Sequence, residues 1–312
     1  MPKIAVIQHA PKVLDCESTL DMATQHIADA AAENAELVVF PETFLPGYPA
    51  WIWRLRPGTD WVINESVHQR LLDNAVDLAV DDLEKVRNAA NQHNVTVVMG
   101  INERDGVVGR TTLYNTVVVI GPNGDLLNHH RKLMPTNPER MIWGFGDGSG
   151  LRAIDTPVGR IGTLLCWENY MPMARYALYA QGIDIHIAPT YDSGESWIGT
   201  MQHIAREGGC WVISAGVALR NEDLPYDFPD RESLYPPEED WINPGDSVVV
   251  APDGALVAGP LHEQQGILYA EVDTDRAAIA RRTFDVAGHY SRPDVFTLKV
   301  NRRKQSPVEF DG

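Results

Sequence analysis

The stretch R-I-G-T-L-L-C-W-E-N-Y, residues 160–170, runs from an apolar β-strand directly into a polar turn. Its branched apolar side chains predict a strand over Arg160–Leu165 that ends at Cys166. Ligands of α/β proteins bind beyond the carboxyl ends of strands, so the Cys166 thiol is a candidate nucleophile facing a cleft. The alternative interpretation is a buried structural cysteine, since free cysteines are often buried.

The alternation of strand and helix extends in both directions from this segment. Apolar β-branched runs predict further strands at Ile4–Gln8, Leu37–Phe40, Thr96–Ile101, Asn115–Ile120, Ile183–Ala188, Cys210–Val217 and Ile267–Val272. Helical spacing predicts a helix that begins at an N-cap on Ser18, and others over about 66–91, 173–181, 197–207 and 275–283. No linker interrupts the pattern. We therefore expect one α/β domain with mixed sheets covered by helices, although 312 residues would allow two domains.

Two hairpin sequences resemble each other. The segments V-V-V-I-G-P-N-G-D-L-L (117–127) and V-V-V-A-P-D-G-A-L-V (248–257) each place a Pro/Gly turn between apolar runs. They predict equivalent hairpins in a pseudo-symmetric fold. Before the second hairpin, residues 221–244 are acidic and rich in proline, which predicts a long surface loop.

Composition excludes several classes of protein. Lys and Arg number 26 against 43 Asp and Glu, a net charge of −17, which argues against a nucleic-acid or anionic-membrane surface. Three cysteines are too few for a disulfide framework and fit a reducing compartment. The N-terminal apolar run is too short for a signal peptide, and no stretch is long enough to span a membrane. We expect a cytoplasmic protein.

Glu42 follows the buried strand Leu37–Phe40 in the segment P-E-T-F-L-P-G-Y-P, residues 41–49. A carboxylate surrounded by prolines and aromatic rings loses water, which raises its pKa and suits a general base. The alternative is a loop carboxylate that caps a backbone N–H.

Lys132 follows the first hairpin, in the segment N-H-H-R-K-L-M-P-T-N-P-E-R, residues 128–140. A fixed ammonium group stabilises developing negative charge, and Glu139 is placed to pair with a buried lysine. The alternative is a solvated basic face. The neighbouring His129 and His130 point in different directions along a strand and do not form a metal pair.

The sequence predicts neither a metal nor a cofactor. It contains no H-E-x-x-H or C-x-x-C motif. The glycine-rich run at residues 144–150 matches neither a phosphate-binding loop nor a dinucleotide fingerprint.

Three of these segments, in this order, resemble the nitrilase superfamily of carbon–nitrogen hydrolases: P-E-T-F around Glu42, H-R-K-L around Lys132 and L-L-C-W-E-N around Cys166. The resemblance extends from Ile4 to about Asp273. It implies a four-layer α-β-β-α sandwich with two mixed β-sheets in a single domain over residues 1–275. It also implies that the tail over 276–312 packs at a subunit interface of a homodimer or larger homo-oligomer.

The resemblance also implies a catalytic triad. Cys166 would be the nucleophile, Glu42 the general base and Lys132 the group that stabilises charge, with Glu139 holding Lys132 in position. Cysteine suits attack on a poorly electrophilic nitrile because it is the side-chain nucleophile closest to ionisation at neutral pH.

The local sequence is similar to the branch of true nitrilases. C-W-E at 166–168, P-G-Y-P at 46–49 and P-T-x-x-E-R before W-G-x-G-D-G at 143–148 carry this similarity. It implies hydrolysis of an organic nitrile to a carboxylic acid and ammonia through thioimidate and thioester intermediates. Cyanide hydratases and dihydratases often carry His after C-W-E, where this chain has Asn169. Amidase or carbamoylase activity, cyanide hydration and a catalytically silent scaffold remain alternatives.

Several aromatic side chains lie near the three motifs and are candidates to bind an apolar nitrile substituent. We predict this role for four of them: Tyr48, Trp167, Tyr170 and Tyr191. The alternative for each is packing in the core or at a subunit interface. Cys210 lies in an apolar strand and is expected to be structural, and no role is predicted for Cys16.

Overall fold

Two mixed β-sheets form the centre of the computed structural model, which describes residues 1–308. The strands are β1 (Lys3–Gln8), β2 (Ala35–Val39), β3 (Thr96–Arg104), β4 (Leu113–Ile120), β5 (Leu126–Arg131), β6 (Ile154–Thr156), β7 (Gly159–Thr163), β8 (Ile185–Thr190), β9 (Trp211–Gly216), β10 (Ala218–Arg220), β11 (Trp241–Val250), β12 (Leu256–His262) and β13 (Gly266–Glu271). The α-helices are α1 (Cys16–Ala32), α2 (Trp61–Asp73), α3 (Glu84–His93), α4 (Pro172–Tyr179), α5 (Glu195–Gly208), α6 (Arg231–Leu234) and α7 (Thr274–Thr283).

The first sheet has the order β13-β1-β2-β3-β4-β5, and the second has the order β10-β11-β9-β8-β7-β6 with β12 paired to β11. Each sheet has three adjacent parallel strands, β1-β2-β3 in the first and β7-β8-β9 in the second. The outer strands of both sheets are antiparallel. Parallel strands place their carboxyl ends at one edge of the sheet, and Glu42 and Cys166 follow the parallel strands β2 and β7 at that edge.

Alternation along the strands builds four layers. In β1, Ile4 and Val6 pack in the apolar cluster between the sheets, whereas Ala5 and Ile7 pack against α1 and α3. The second sheet likewise directs its other face toward α4 and α5. Both sheets are therefore buried on two sides, which explains their continuous apolar runs. The predicted α-β-β-α sandwich in a single domain is confirmed.

The two similar hairpin sequences form equivalent turns, one in each sheet. In the first, Gly124 N donates to Gly121 O (2.9 Å) and Gly121 N donates to Asp125 O (2.8 Å). In the second, Gly254 N donates to Ala251 O (2.8 Å) and Ala251 N donates to Ala255 O (2.9 Å). Both turn glycines have positive φ, 81° and 86°, which glycine adopts without steric cost. The shared pattern supports the predicted pseudo-symmetry.

The predicted long helix over 66–91 is wrong. The chain forms α2 and α3 instead, and between them Val76 pairs with β3, donating to Asn102 O and accepting from Arg104 N, both at 2.8 Å. The aspartates of this segment also break the helix, because Asp77 and Asp82 accept local backbone N–H groups.

The predicted start of α1 is also wrong. The helix begins at Cys16, and its N-cap is Asp15, whose side chain accepts from Ser18 N at 3.0 Å. Ser18 therefore lies inside the first turn, and its own hydroxyl donates to Asp15. Asp15, three residues earlier, therefore caps the helix by accepting from the free N–H group of Ser18.

The predicted surface loop over residues 221–244 is right only in part, because the segment contains α6, its residues from Trp241 belong to β11, and several of its apolar side chains are buried. Leu224, Phe228 and Tyr235 are buried in the apolar cluster that contains Tyr48. The Arg54 guanidinium fixes the segment by donating to Leu234 O (2.8 Å) and pairing with Glu239 (2.6 Å). The segment therefore packs beside the candidate site.

The predicted domain boundary at residue 275 falls inside α7. Ala277 is fully buried between the sheets, and Arg281 donates to Ile183 O (2.7 Å) and pairs with Asp184 (2.9 Å). The chain therefore packs on the second sheet as far as residue 283. No helix among residues 1–308 is both long and apolar enough to cross a bilayer.

Candidate active site

Cys166 lies in a sharp turn just beyond β7. It is the first residue of a 3₁₀ turn (Cys166–Tyr170), has φ = +46° and is 4 % exposed. A residue with a Cβ rarely adopts this left-handed conformation, so surrounding contacts must hold it. Asn169 supplies some of them, because its amide donates to Cys166 O (2.8 Å) and Leu164 O (3.1 Å), while its oxygen bonds His186 Nε2 (2.6 Å).

Glu42 and Lys132 meet in a fully buried ion pair. Lys132 Nζ donates to Glu42 Oε1 at 2.8 Å, and the amide of Asn115 donates to the same oxygen at 2.7 Å. The other carboxylate oxygen of Glu42 accepts from Tyr191 N at 2.8 Å. Three donors from different elements therefore fix the Glu42 carboxylate.

Glu139 binds Lys132 from the other side. Its Oε2 atom lies 2.8 Å from Lys132 Nζ and also accepts from Thr136 N at 2.6 Å. Its Oε1 atom accepts from the Tyr48 hydroxyl at 2.6 Å, and that hydroxyl accepts from Trp53 Nε1 at 2.9 Å. The two glutamates hold the ammonium group of Lys132 between them.

Burial and charge shift the pKa values of these groups. Burial and the nearby Glu42 carboxylate raise the pKa of the Cys166 thiol well above its usual range, although Lys132 opposes this. Burial also raises the pKa of Glu42, despite the attraction of Lys132. Burial alone would lower the pKa of Lys132, but Glu42 and the other acidic groups raise it. The surroundings therefore disfavour the thiolate form of Cys166 and favour the charged form of Lys132.

Thr190, the last residue of β8, contacts the sulfur directly. Its hydroxyl donates to Cys166 Sγ at 3.3 Å and accepts from Asp192 N at 2.8 Å. This hydrogen bond favours the thiolate and partly offsets burial.

A cavity of about 280 Å³ opens above Cys166. It is lined by Tyr48, Trp53, Thr136, Glu139, Cys166, Trp167, Tyr191, Asp192, Ser193, Ile242, Asn243 and Pro244. The rings of Tyr48 and Tyr191 stack with centroids 3.8 Å apart, and Trp167 donates to Asp192 at 2.8 Å. The cavity combines aromatic walls with polar groups near the thiol, as small-molecule sites do.

A family model, carbon–nitrogen hydrolase, matches residues 3–282. The chain belongs to the carbon–nitrogen hydrolase family. A bifunctional nitrilase/nitrile hydratase from Lupinus angustifolius is 41 % identical, over 99 % of this chain and 88 % of its own length. Nitrilase 3 of Arabidopsis thaliana is 40 % identical, over 99 % of this chain and 89 % of its own length.

Solved structures share the fold of this carbon–nitrogen hydrolase at lower identity. The NitFhit protein of C. elegans has a TM-score of 0.73 at 22 % identity, covering 98 % of this chain and 68 % of its own. A carbon–nitrogen hydrolase from Helicobacter pylori G27 has a TM-score of 0.70 at 21 % identity, covering 94 % and 96 %. The predicted family membership is confirmed.

Three of the four aromatic residues predicted to bind substrate line the cavity of this carbon–nitrogen hydrolase: Tyr48, Trp167 and Tyr191. Tyr170 lies outside the lining, because its ring packs edge-on against Trp167 and Trp197 at 5.7 and 6.0 Å between centroids. Tyr48 also bonds Glu139, so it belongs to both the cavity wall and the charged cluster.

Sequence reasoning missed several residues of the site. Asn115 is a buried amide inside the apolar strand β4, and a polar residue in such a run is the signal that could have found it. Thr190 is the last residue of β8, and its position at the carboxyl end of a strand, where ligands bind, is the signal that could have found it. Asn243 donates to Tyr191 O. It lies in the segment that was predicted to be a surface loop, so no signal in the sequence placed it at the site.

The other cysteines lie away from the cavity. Cys210 is fully buried in the cluster under α4 and α5, in agreement with its predicted structural role. Burial raises the pKa of Cys210 to about 12, as it does that of Cys16. In the described part of the chain, neither thiol lines the cavity or has a partner like the cluster of Glu42, Lys132 and Glu139 that lies near Cys166.

Proposed function

We propose that this carbon–nitrogen hydrolase is a nitrilase that converts an organic nitrile and water into a carboxylic acid and ammonia. The observation that carries the proposal is the Cys166 thiol in an aromatic cavity, beside a buried cluster of Glu42, Lys132 and Glu139. The proposal is also supported by about 40 % identity to plant nitrilases over nearly the whole chain.

In the first step Cys166 Sγ attacks the nitrile carbon. Because burial and Glu42 raise the pKa of Cys166, the thiol proton leaves as the S–C bond forms. Glu42 accepts that proton and passes it to the nitrile nitrogen, which gives a neutral thioimidate. The raised pKa of Glu42 suits this exchange, since its carboxylate holds a proton more readily than that of an ordinary glutamate.

Lys132 stabilises the negative charge that develops on the nitrile nitrogen. Its ammonium group has three N–H donors, and within residues 1–308 two of them bind Glu42 and Glu139. The third is available to the substrate. Glu139 keeps Lys132 oriented and charged, and no metal or cofactor is needed for the sequence of steps.

Water completes the reaction in two additions. Glu42 activates the first water, which adds to the thioimidate carbon. Cleavage of the C–N bond then releases ammonia and leaves a thioester. A second water cleaves the C–S bond, which releases the acid and returns the thiol.

A second product, the amide, would form if the C–S bond of the first water adduct broke before its C–N bond. The observation that favours this is the description of similar proteins as bifunctional nitrilase/nitrile hydratases. The relative amounts of acid and amide report which bond breaks first.

A substrate panel with the Cys166→Ala variant tests the proposal. The panel compares benzonitrile, phenylacetonitrile and aliphatic dinitriles with the corresponding amides and with free cyanide, and ammonia, acid and amide are measured. We expect turnover of organic nitriles by the native chain and none by Cys166→Ala, with circular dichroism spectra that match. Preferential turnover of amides would favour an amidase or carbamoylase, and turnover of cyanide alone would favour a cyanide hydratase or dihydratase.

A catalytically silent scaffold predicts a different result. Such a protein would form no covalent adduct on Cys166 when mass spectra are recorded after exposure to each nitrile. We also propose that the nitrilase works in a reducing compartment, the cytoplasm, because oxidation of the Cys166 thiol would remove the nucleophile. The proposed homodimer or larger homo-oligomer would bind small nitriles and no nucleic acid.

A further inference from the structure

The carboxylate of Glu168 lies between the strand ends that carry Cys166 and Lys132. Its Oε2 atom accepts from Leu165 N, and its Oε1 atom accepts from Leu133 N, both at 2.7 Å. Leu165 directly precedes Cys166, and Leu133 directly follows Lys132. The side chain of Glu168 is fully buried, so no water competes for these bonds.

His130 completes the surroundings of this carboxylate. Its Nε2 atom lies 3.1 and 3.2 Å from the two oxygens of Glu168, and both side chains are fully buried. Burial alone would raise the pKa of Glu168, but His130 and the backbone N–H groups of Leu133 and Leu165 hold it below its usual range. Glu168 therefore stays ionised and accepts hydrogen bonds on both oxygens.

Through its bonds to Leu133 and Leu165, Glu168 links Lys132 and Cys166, which come from different sheets. Lys132 follows β5 at the edge of the first sheet, and Cys166 follows β7 of the second. We propose that Glu168 is a positioning residue, which fixes the ammonium group of Lys132 relative to the sulfur of Cys166. This proposal rests on the proposed nitrilase reaction, in which both groups act on one nitrile.

The expected loss of reaction rate follows from the geometry of these bonds. A displacement of about 1 Å between reacting groups can lower the rate by about 100-fold. In Glu168→Gln, the amide nitrogen would face one of the two backbone N–H groups, so one of the bonds at 2.7 Å must break. The strand ends that carry Cys166 and Lys132 would then shift relative to each other.

The chain offers a matched control on the other face of β5. His129, next to His130, pairs with Glu103 at 2.6 Å, and Glu103 is also buried. Glu103 contacts Thr116 and Arg131, the residue before Lys132, but neither Cys166 nor the residues beside it. Glu103→Gln therefore removes a buried histidine-paired carboxylate on the Lys132 side alone, and it leaves both bonds by which Glu168 links the two strand ends in place.

The experiment measures kcat per titrated active site and KM on a nitrile, the rate of Cys166 alkylation by iodoacetamide across pH, and the melting temperature. For Glu168→Gln we expect kcat per site to fall about 100-fold, KM to stay within threefold, and alkylation at pH 7 to slow about tenfold. Glu168→Asp, which keeps the charge on a shorter side chain, is expected to lose about tenfold in kcat. Glu103→Gln is expected to lower the melting temperature while kcat stays within twofold.

A kcat per site within threefold of the native value in Glu168→Gln would overturn the proposal, as would an equal loss in Glu103→Gln. If Glu168→Gln does not fold, Glu168→Asp decides by the same threefold limit. Alkylation separates this inference from the proposed function, because it reports the surroundings of Cys166 even if no nitrile is turned over. An inactive native chain whose alkylation still slows in Glu168→Gln would contradict the nitrilase and support the positioning role.

Discussion

Three residues near the Cys166 sulfur each contribute in a different way to the reactivity of this buried thiol. Glu42 can take its proton, Lys132 supplies positive charge, and Thr190 donates a hydrogen bond to the sulfur. The roles of Glu42 and Lys132 were predicted from their sequence motifs, whereas that of Thr190 was not. Its contribution depends on a contact between two residues that are 24 positions apart in the sequence.

We predict that Thr190→Val lowers kcat/KM by about tenfold. Valine has nearly the same shape but lacks the hydroxyl, and a hydrogen bond to a charged group contributes about 1.5–3 kcal/mol. The pKa of the Cys166 thiol should rise further, so alkylation by iodoacetamide should need higher pH. Thr190→Ser keeps the donor and should retain most activity, and equal kcat/KM values for the Val and Ser variants would exclude this role.

Neighbouring strands of the first sheet carry a second buried charge cluster, away from the cavity. Glu103 in β3 binds Arg131 and His129 in β5 and accepts from Thr116 in β4. Burial alone would raise the pKa of Glu103, but His129 and Arg131 lower it to about 2. The cluster therefore ties three strands together at the edge that ends in Lys132.

The pH dependence of stability follows from this lowered pKa. A carboxylate with a folded pKa of about 2 and an ordinary value of 4.5 stabilises the fold fully above pH 4.5. That contribution, about 3 kcal/mol, is lost as the pH falls from 4.5 toward 2. We predict that Glu103→Gln flattens the pH dependence of the free energy of unfolding in this window, measured by urea denaturation. An unchanged slope in the variant would contradict it.

Most strands, but not all helix boundaries, could be predicted from the sequence. Most strands were predicted because continuous apolar runs mark strands buried on both faces. The break between α2 and α3 was missed, because apolar periodicity continues through residues that in fact pair with β3. The packing of residues 221–244 was missed because proline and acidic content indicates a loop but not whether its few apolar side chains are buried.

At the scale of the whole molecule, the candidate site is assembled where the two sheets meet. Glu42 and Lys132 follow strands of the first sheet, while Cys166 and Thr190 belong to the second. Periodicity predicts each strand end but not which ends face each other. The resemblance of three motifs supplied that grouping, and the structure places Glu42, Lys132 and Glu139 in direct contact.

The segment beyond α7 bears on assembly. Residues after 283 run along the surface, where Gln305 N donates to Asp147 (2.7 Å), and they leave Val295 and Phe296 exposed. Residues 309–312 of the predicted interface tail lie outside the described residues. That the tail packs against a second subunit stays a prediction.

We predict that a chain ending at residue 284 forms a smaller assembly than the full chain, measured by light scattering after size-exclusion chromatography. Burial of apolar side chains against another subunit would supply the lost association energy. Phe296→Ser should weaken the assembly in the same direction. Tyr226→Ser, which removes another exposed aromatic ring, is the control. The same number of subunits in all four proteins would contradict the interface.

Part of the cavity wall is independent of the reacting groups, although Tyr48 and Tyr191 serve both. Ser193 and Ile242 line the cavity, whereas Glu42, Lys132 and Glu139 are fixed by buried bonds to other residues. Side chains such as Ile242 and Ser193 can therefore vary without moving the proton-transfer groups. Such an arrangement is evolvable, because substitutions in the cavity wall can change which nitriles bind while the groups that transfer protons stay in place.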